Sequence, residues 1–461
     1  MKLSYYGGID EIGGNKILLE DQDARIFLDF GMNFANTGKY FEEYLKPRTA
    51  NGFGDHLALG LIPSPSTLPG FYRDDLLEIA GFKPSEPEFD AIIVSHIHYD
   101  HTADISFVSE KIPLYASEIT IQMAKALVES KARAFSTEIY NYTARNSDGS
   151  SARQLVEREW NAVQTHKKFK VKNVEITPLS IDHSVPGGMT YIIHSSEGNI
   201  LYSGDLRLQG TYGDHTVQMM EHAASEKIDL MLCEGTRIKT TDVQTEKQVF
   251  DQSTKILNNT KGLLIADYAF KDLTRFETFL EIARKSGRKL VIQPQDAYLI
   301  QQLQDLIPAL PKTTDETIEI LGKKRLTNLK TLQPILDQEN VISSEEIHHK
   351  QNEKIVRLSF YDFPELIDLQ PALGSQYIHS ACEPFNEEME ISQERLDNWL
   401  DYFKLPKHQI HCSGHGPRQD LEQIINTVKP KTLTPIHTEY PKEFKKIAKN
   451  KTKITYAKKF A

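Results

Sequence analysis

The chain has 461 residues, 39% hydrophobic and 26% charged, the make-up of an ordinary folded protein with too much length for one simple core. No apolar run approaches membrane-spanning length, the start Met1-Lys2-Leu3-Ser4 lacks a secretory leader pattern, and Cys233, Cys382 and Cys412 are too few and too scattered for a disulfide framework or a cysteine-based zinc site. A cytoplasmic protein without a membrane partner is therefore expected, and its net charge of −10 argues, at first sight, against a polyanionic substrate.

Lys2–Tyr6, Lys16–Glu20 and Arg25–Asp29 read as strands, separated by Gly7-Gly8, Gly13-Gly14 and Asp21-Gln22-Asp23. Residues 35–88 are rich in Gly, Pro and aromatics and have little periodicity, which fits a lid or rim as well as a structural cover of the core. The apolar run Ala91-Ile92-Ile93-Val94 then leads into Ser95-His96-Ile97-His98-Tyr99-Asp100-His101. In an extended segment His96 and His98 point the same way, so both can reach one metal ion. Asp100 and His101 follow where the chain turns, free to face a second ion. Imidazole and carboxylate together suit zinc and related transition metals.

A helix is expected from Ser117, as N-cap, to about Ala134. Lys167, Lys168, Lys170 and Lys172 cluster on one predicted strand, although lysine runs are more often solvated faces than nucleic-acid contacts. Further strands are predicted near Val171–Leu179, Thr190–His194, Asn199–Tyr202 and Asp229–Cys233. From about residue 240 strands and helices alternate: Gly262–Ala266, a helix from Leu273 capped by Gly287, Lys289–Ile292, then Ala297–Leu306. Such alternation predicts a parallel α/β unit over 239–408, inserted in a host domain of 1–238 that 409–461 completes. From Lys442 onward there are eight lysines and one acid, Glu443.

More ligands must come from distant loops, and candidates again follow apolar strands: His183, Asp205, His415 and His437. Asp205 is placed to bridge two ions, an arrangement used for phosphodiester hydrolysis. Taken with Asp29, which ends an early strand, and Glu234 in Cys233-Glu234-Gly235-Thr236, this ordered set resembles the metallo-β-lactamase superfamily, and within it the β-CASP nucleases, nearest to the ribonuclease J family. The resemblance implies an αββα fold with an inserted α/β β-CASP domain. Asp29, His96-x-His98-x-Asp100-His101, His183 and Asp205 match the superfamily's four motifs, and Glu234, His415 and His437 match β-CASP motifs A, B and C.

By that resemblance, His96, His98 and His183 hold one zinc ion, Asp100, His101 and His437 hold the other, and Asp205 bridges them, with manganese as an alternative. A hydroxide between the metals attacks phosphorus, Asp29 buttresses the site, and His415 paired with Glu234 serves the leaving oxygen. Ser413, Gly414 and Thr236 are expected to contact substrate. His437, where DNA-processing branches carry Val, favours RNA, and the inserted domain of the family leaves a slot that admits a single strand, so single-stranded RNA is the expected substrate. The chain ends soon after His437, so the further domain of bacterial ribonuclease J is expected to be missing, and a homodimer rests on the resemblance alone. The Ser-Asn pair often found in that family is absent around Ala269-Phe270-Lys271-Asp272, so a pocket for the 5′ end is not assumed, and endonuclease and 5′→3′ exonuclease action both stay open. The readings weighed against a ribonuclease are a hydrolase of a small ester or thioester, a DNA nuclease, and a non-catalytic RNA-binding protein.

Overall fold

The computed structural model describes residues 1–42, 44–130, 137–323, 329–381, 387–449 and 451–460, with the side chains of 329 and 387–391 left aside. Two mixed sheets lie face to face. The first runs Lys2–Gly7, Lys16–Asp21, Ala24–Leu28, Ala91–Ile93, Leu114–Ser117 and Trp160–Val163 in spatial order. The second runs Lys453–Ile454, Thr432–Ile436, Leu230–Glu234, Gly198–Tyr202, Met189–Ser195, Val174–Ser180 and Phe169–Val171.

Strand periodicity decides what each sheet buries. Ile17, Leu19, Ile26, Leu28 and Ile93 point into the space between the sheets and meet Ile176, Tyr191, Ile193 and Leu232. Their neighbours Leu18, Phe27, Ile92 and Leu114 point the other way. On the outside of the second sheet, Leu179, Leu201 and Met231 are covered by the helices Gly213–Ser225 and Arg418–Val428. The result is a helix–sheet–sheet–helix sandwich.

The third sheet is parallel throughout, in the order Val341–Ile342, Ile318–Leu321, Lys289–Ile292, Lys354–Arg357, Leu264–Asp267, Gln376–His379 and Lys407–Gln409. It shares a continuous core with the outer face of the first sheet. Helix Glu118–Ser130 meets helix Pro294–Leu303 there, with Gln122 bonded to Gln302 (2.9 Å) and Tyr298 to Glu129 (2.7 Å). This is the mixed α/β architecture expected. No helix among the described residues is long and apolar enough to cross a membrane.

Several local expectations are refined. The Ser117 hydroxyl does accept from Thr120 N–H at 3.1 Å, and the helix after it is described to Ser130; residues 131–134 of the expected helix, like Cys382, lie outside the described residues. The strand expected over 171–179 is broken in two, because Lys172 turns through a left-handed backbone (φ 49°). Of the four lysines expected on one strand only Lys170 lies in a strand, Phe169–Val171; Lys168 pairs with Glu175 and Lys172 with Asp90. The hairpin Asn141–Arg145/Ser151–Glu157 was not expected. Within 35–88, Phe53, Phe71 and Tyr72 are buried and make tilted and edge-on ring contacts with one another and with Phe27, Phe30 and Phe107, so this stretch covers the core.

Candidate metal centre

The chemistry-bearing residues emerge from one edge of the sandwich. Asp29 follows Ala24–Leu28, the His96–His101 run follows Ala91–Ile93, His183 follows Val174–Ser180, Asp205 follows Gly198–Tyr202, and His437 follows Thr432–Ile436. Glu234 ends its own strand. These strands share a direction, so their carboxyl ends open onto a common crevice, a usual place for ligands in α/β proteins.

Two groups of donors converge there. His96, His98, His183 and Asp205 form one, and Asp100, His101, Asp205 and His437 form the other, with the donor atoms of each group within 4.8 Å of one another. His98 Nδ1 lies 3.0 Å from His96 Nε2 and 2.9 Å from His183 Nε2. Asp205 Oδ2 is 3.0 Å from His101 Nε2, 3.6 Å from His96 Nε2 and 3.8 Å from His437 Nε2. Asp100 Oδ2 is 3.1 Å from His437 Nε2. Every ligand expected from the motifs is in one of the two groups.

The surroundings fix which ring nitrogens face inward. His183 Nδ1–H donates to the Gly414 carbonyl (2.6 Å), leaving Nε2 for the centre. His101 Nδ1 pairs with Asp29 Oδ2 (2.6 Å), and His437 Nδ1 with the Thr236 hydroxyl (2.8 Å). Asp29 also accepts from Ser95 N–H and Oγ–H, both at 2.7 Å, and from the Tyr202 hydroxyl at 2.5 Å. A carboxylate, a hydroxyl or a carbonyl behind each imidazole is how proteins fix the tautomer of metal-ligating histidine. Asp29 therefore acts behind His101, and Thr236, expected as a substrate contact, stands behind His437.

A cation fits this donor set. With their protons on the outer nitrogens, His96, His98 and His183 direct lone pairs at one another, an arrangement that needs a positive charge among them. Tetrahedral zinc places ligand nitrogens about 3.3 Å apart, close to the spacing seen. Both Asp205 oxygens and His101 Nε2 are buried without a hydrogen-bond partner; the 3.0 Å approach between Asp205 and His101 is misaligned for one. Buried polar atoms left open in this way are unusual unless another partner completes them.

The electrostatics agree. Burial, followed by the charges of neighbouring imidazoles, holds His96 and His183 well below the usual histidine range. Burial and then the Lys271 ammonium lower His98 to about 3. These three rings are neutral near pH 7, as ligands must be. Burial works against a proton on His101, but the carboxylates of Asp205, Asp100 and Asp29 prevail and raise it. Burial likewise opposes charge on His415; the carboxylates of Glu234, with Oε1 3.3 Å from Nδ1, and Asp205 outweigh it and bring His415 to about 9.

Ser413 and Gly414 sit beside this cluster. His415 N–H is taken by Ser413 Oγ (3.2 Å) and Gly416 N–H by the Leu206 carbonyl (2.8 Å). A side chain at Gly414 would place its Cβ 2.8 Å from His183 Cε1, so only glycine lets the loop lie against that ring. Loop 7–14 supports the other side: His437 N–H donates to the Gly8 carbonyl, and Gly13, in a left-handed conformation (φ 74°), packs on Asp100. Tyr202, Ser95 and Gly414 were not singled out as orienting groups. Their roles arise from tertiary placement, and only the adjacency of Ser95 to His96 hints at one.

Residues 67–256 match the model of a beta-lactamase superfamily domain, and residues 404–455 that of a Zn-dependent metallo-hydrolase RNA specificity domain. The chain is 22% identical over 453 residues to Ribonuclease J of Mycoplasma pneumoniae, covering 95% of this chain and 68% of the relative. It is 22% identical over 445 residues to Ribonuclease J 1 of Streptococcus pyogenes serotype M3, covering 94% and 68%. A crystal structure of a protein of unknown function from Enterococcus faecalis V583 superposes with a TM-score of 0.73 at 21% identity, over 100% of this chain and 98% of that one.

Proposed function

The chain is a ribonuclease J-like metal-dependent hydrolase of the metallo-β-lactamase superfamily, and on that premise we propose that it hydrolyses phosphodiester bonds of single-stranded RNA at a centre of two zinc ions. The observation that carries this reading is the pair of donor groups that share Asp205. His96, His98 and His183 would hold one ion, Asp100, His101 and His437 the other, and Asp205 both. Bound there, the ions supply Lewis-acid charge for the phosphate and an activated water near neutral pH.

The chain's own groups do the rest. Asp29, Thr236 and the Gly414 carbonyl hold three ligand imidazoles in the tautomer that presents Nε2 to the centre. The Glu234 carboxylate beside Nδ1 favours the protonated form of His415 and steadies its ring, so it can give a proton to the leaving oxygen. Ser413 and Gly414, in the loop that lies against His183, are assigned to a substrate phosphate oxygen through their backbone N–H groups. Manganese is an alternative ion for this nitrogen and oxygen set.

The test is turnover by the zinc-loaded protein of one labelled sequence as 5′-monophosphate RNA, 5′-hydroxyl RNA and DNA, beside a chromogenic ester. Cleavage of RNA well above DNA and ester is expected, and product lengths distinguish endonuclease from exonuclease action. Preferred ester hydrolysis with intact RNA would overturn the reading.

A further inference from the structure

One loop touches both halves of the proposed chemistry. Residues 412–415 carry His415 at one end and, in the middle, the Gly414 carbonyl that orients His183. Four successive carbonyls of this loop are held by side-chain donors. Cys412 O accepts from Arg275 Nη2 (3.3 Å), Ser413 O from Arg207 Nη1 (3.1 Å) and Gln209 Nε2 (3.2 Å), Gly414 O from His183, and His415 O from Gln209 Nε2 (3.0 Å). With its carbonyls turned inward, the loop has its His415 ring fixed toward the metal ligands.

Arg207 comes from the sandwich, just after Asp205, whereas Arg275 comes from helix Leu273–Ser286 of the parallel α/β unit. Both guanidiniums have no exposed surface. Glu246 joins them: its carboxylate takes Arg275 through Nε (3.2 Å) and Nη2 (2.9 Å), and Arg207 Nη1 lies 3.7 Å away. Arg275 Nη1 also donates to Ser380 O (2.8 Å), at the carboxyl end of the parallel sheet. The planar five-donor fork makes these four bonds at once, two to the carboxylate and one to each carbonyl, which is more than the three N–H groups of an ammonium can supply. Four residues earlier, the Lys271 ammonium sits 4.5 Å from the centre of the Tyr99 ring, between His98 and Asp100.

We propose that Arg275 is a positioning residue through which the parallel α/β unit sets the geometry of the metal centre, by clamping loop 412–415 and with it His183 and His415. Groups that orient metal ligands typically cost tenfold to a hundredfold in metal affinity or activity when lost. The affinity part stands whatever the substrate; the turnover part rests on the RNA-hydrolysis reading.

The experiment compares the full chain with Arg275→Ala and Arg275→Lys. It reads zinc affinity by chelator competition, kcat and KM on labelled RNA, and thermal melting of the metal-free proteins. Arg275→Ala is expected to bind zinc at least about tenfold more weakly and to lose at least about tenfold in kcat, with KM shifted less than about threefold. Added guanidinium is expected to restore part of both in the folded variant. Arg275→Lys, which keeps the charge opposite Glu246 but loses the fork, is expected to fall in between, and it carries the test if the alanine variant does not fold. Zinc affinity and kcat like those of the unsubstituted protein in a folded variant, or losses that only follow its unfolded fraction, would overturn the assignment. A drop in zinc affinity with no RNA turnover in the unsubstituted protein would sink the substrate reading and leave this one standing.

Discussion

At the residue scale, the ligands are legible because their chemistry is local: His96, His98, Asp100 and His101 fall within six positions behind a buried strand. The groups that orient them are not legible. Tyr202 looks like any aromatic at the end of a strand, yet its hydroxyl donates to Asp29, which holds His101. Asp205→Asn removes the carboxylate common to both donor groups; RNA hydrolysis is expected to fall at least about a hundredfold with the fold retained, checked by turnover and circular dichroism. Thr236→Val takes the partner from His437 Nδ1, and zinc affinity measured by competition is expected to fall about tenfold.

His411 contributes to the stability against acid. Burial, then the Arg275 charge, brings His411 to about 3 from its ordinary 6.5, while its Nδ1–H donates to Ser380 O. Between these values the unfolded chain takes up a proton that the folded chain does not. Stability therefore falls as pH falls from about 6.5 toward about 3. Replacing His411 by Gln is expected to flatten that slope by up to about 1.4 kcal/mol per pH unit, read as the difference between denaturation series of the two proteins. Equal slopes would show that His411 takes up its proton alike in both states.

At the element scale, hydrophobic periodicity located most strands and helices of both the sandwich and the parallel α/β unit, as with Lys16–Asp21 in the first and Lys289–Ile292 and the helix that Gly287 caps in the second. It failed where burial is not the reason for the element. The hairpin Asn141–Arg145/Ser151–Glu157 is largely solvent-facing, and Trp160–Val163 is a short edge strand. The lysine cluster shows the same limit, since Lys168 answers Glu175 on the neighbouring strand and Lys172 answers Asp90 from a distant segment. Turns that support the site are also illegible until their contacts are seen. In loop 7–14, Gly13→Ala combines a left-handed backbone with a Cβ 2.7 Å from that of Asp100. It is expected to cost about 1–3 kcal/mol and to weaken zinc binding. Denaturant unfolding of the metal-free protein isolates the first effect and chelator competition the second.

At the scale of the whole molecule, the donors come from residues 96 to 437, so the centre exists only when both sheets are in register. Ion binding and folding are thereby linked. Free zinc at a thousandfold over the dissociation constant of each site is expected to add about 4 kcal/mol of stability per ion, about 8 kcal/mol for two, seen as a raised and zinc-dependent melting midpoint. The parallel α/β unit is part of the same cooperative structure, since it shares a core with the first sheet and reaches the site through Lys271 and Arg275.

The most direct measurement titrates zinc into chelator-stripped protein while hydrolysis of a labelled single-stranded RNA is followed. Two-ion hydrolysis requires no cleavage without metal and full activity only as the second equivalent binds, matching the two donor groups. Cleavage by the stripped protein, or full activity at one equivalent, would contradict it.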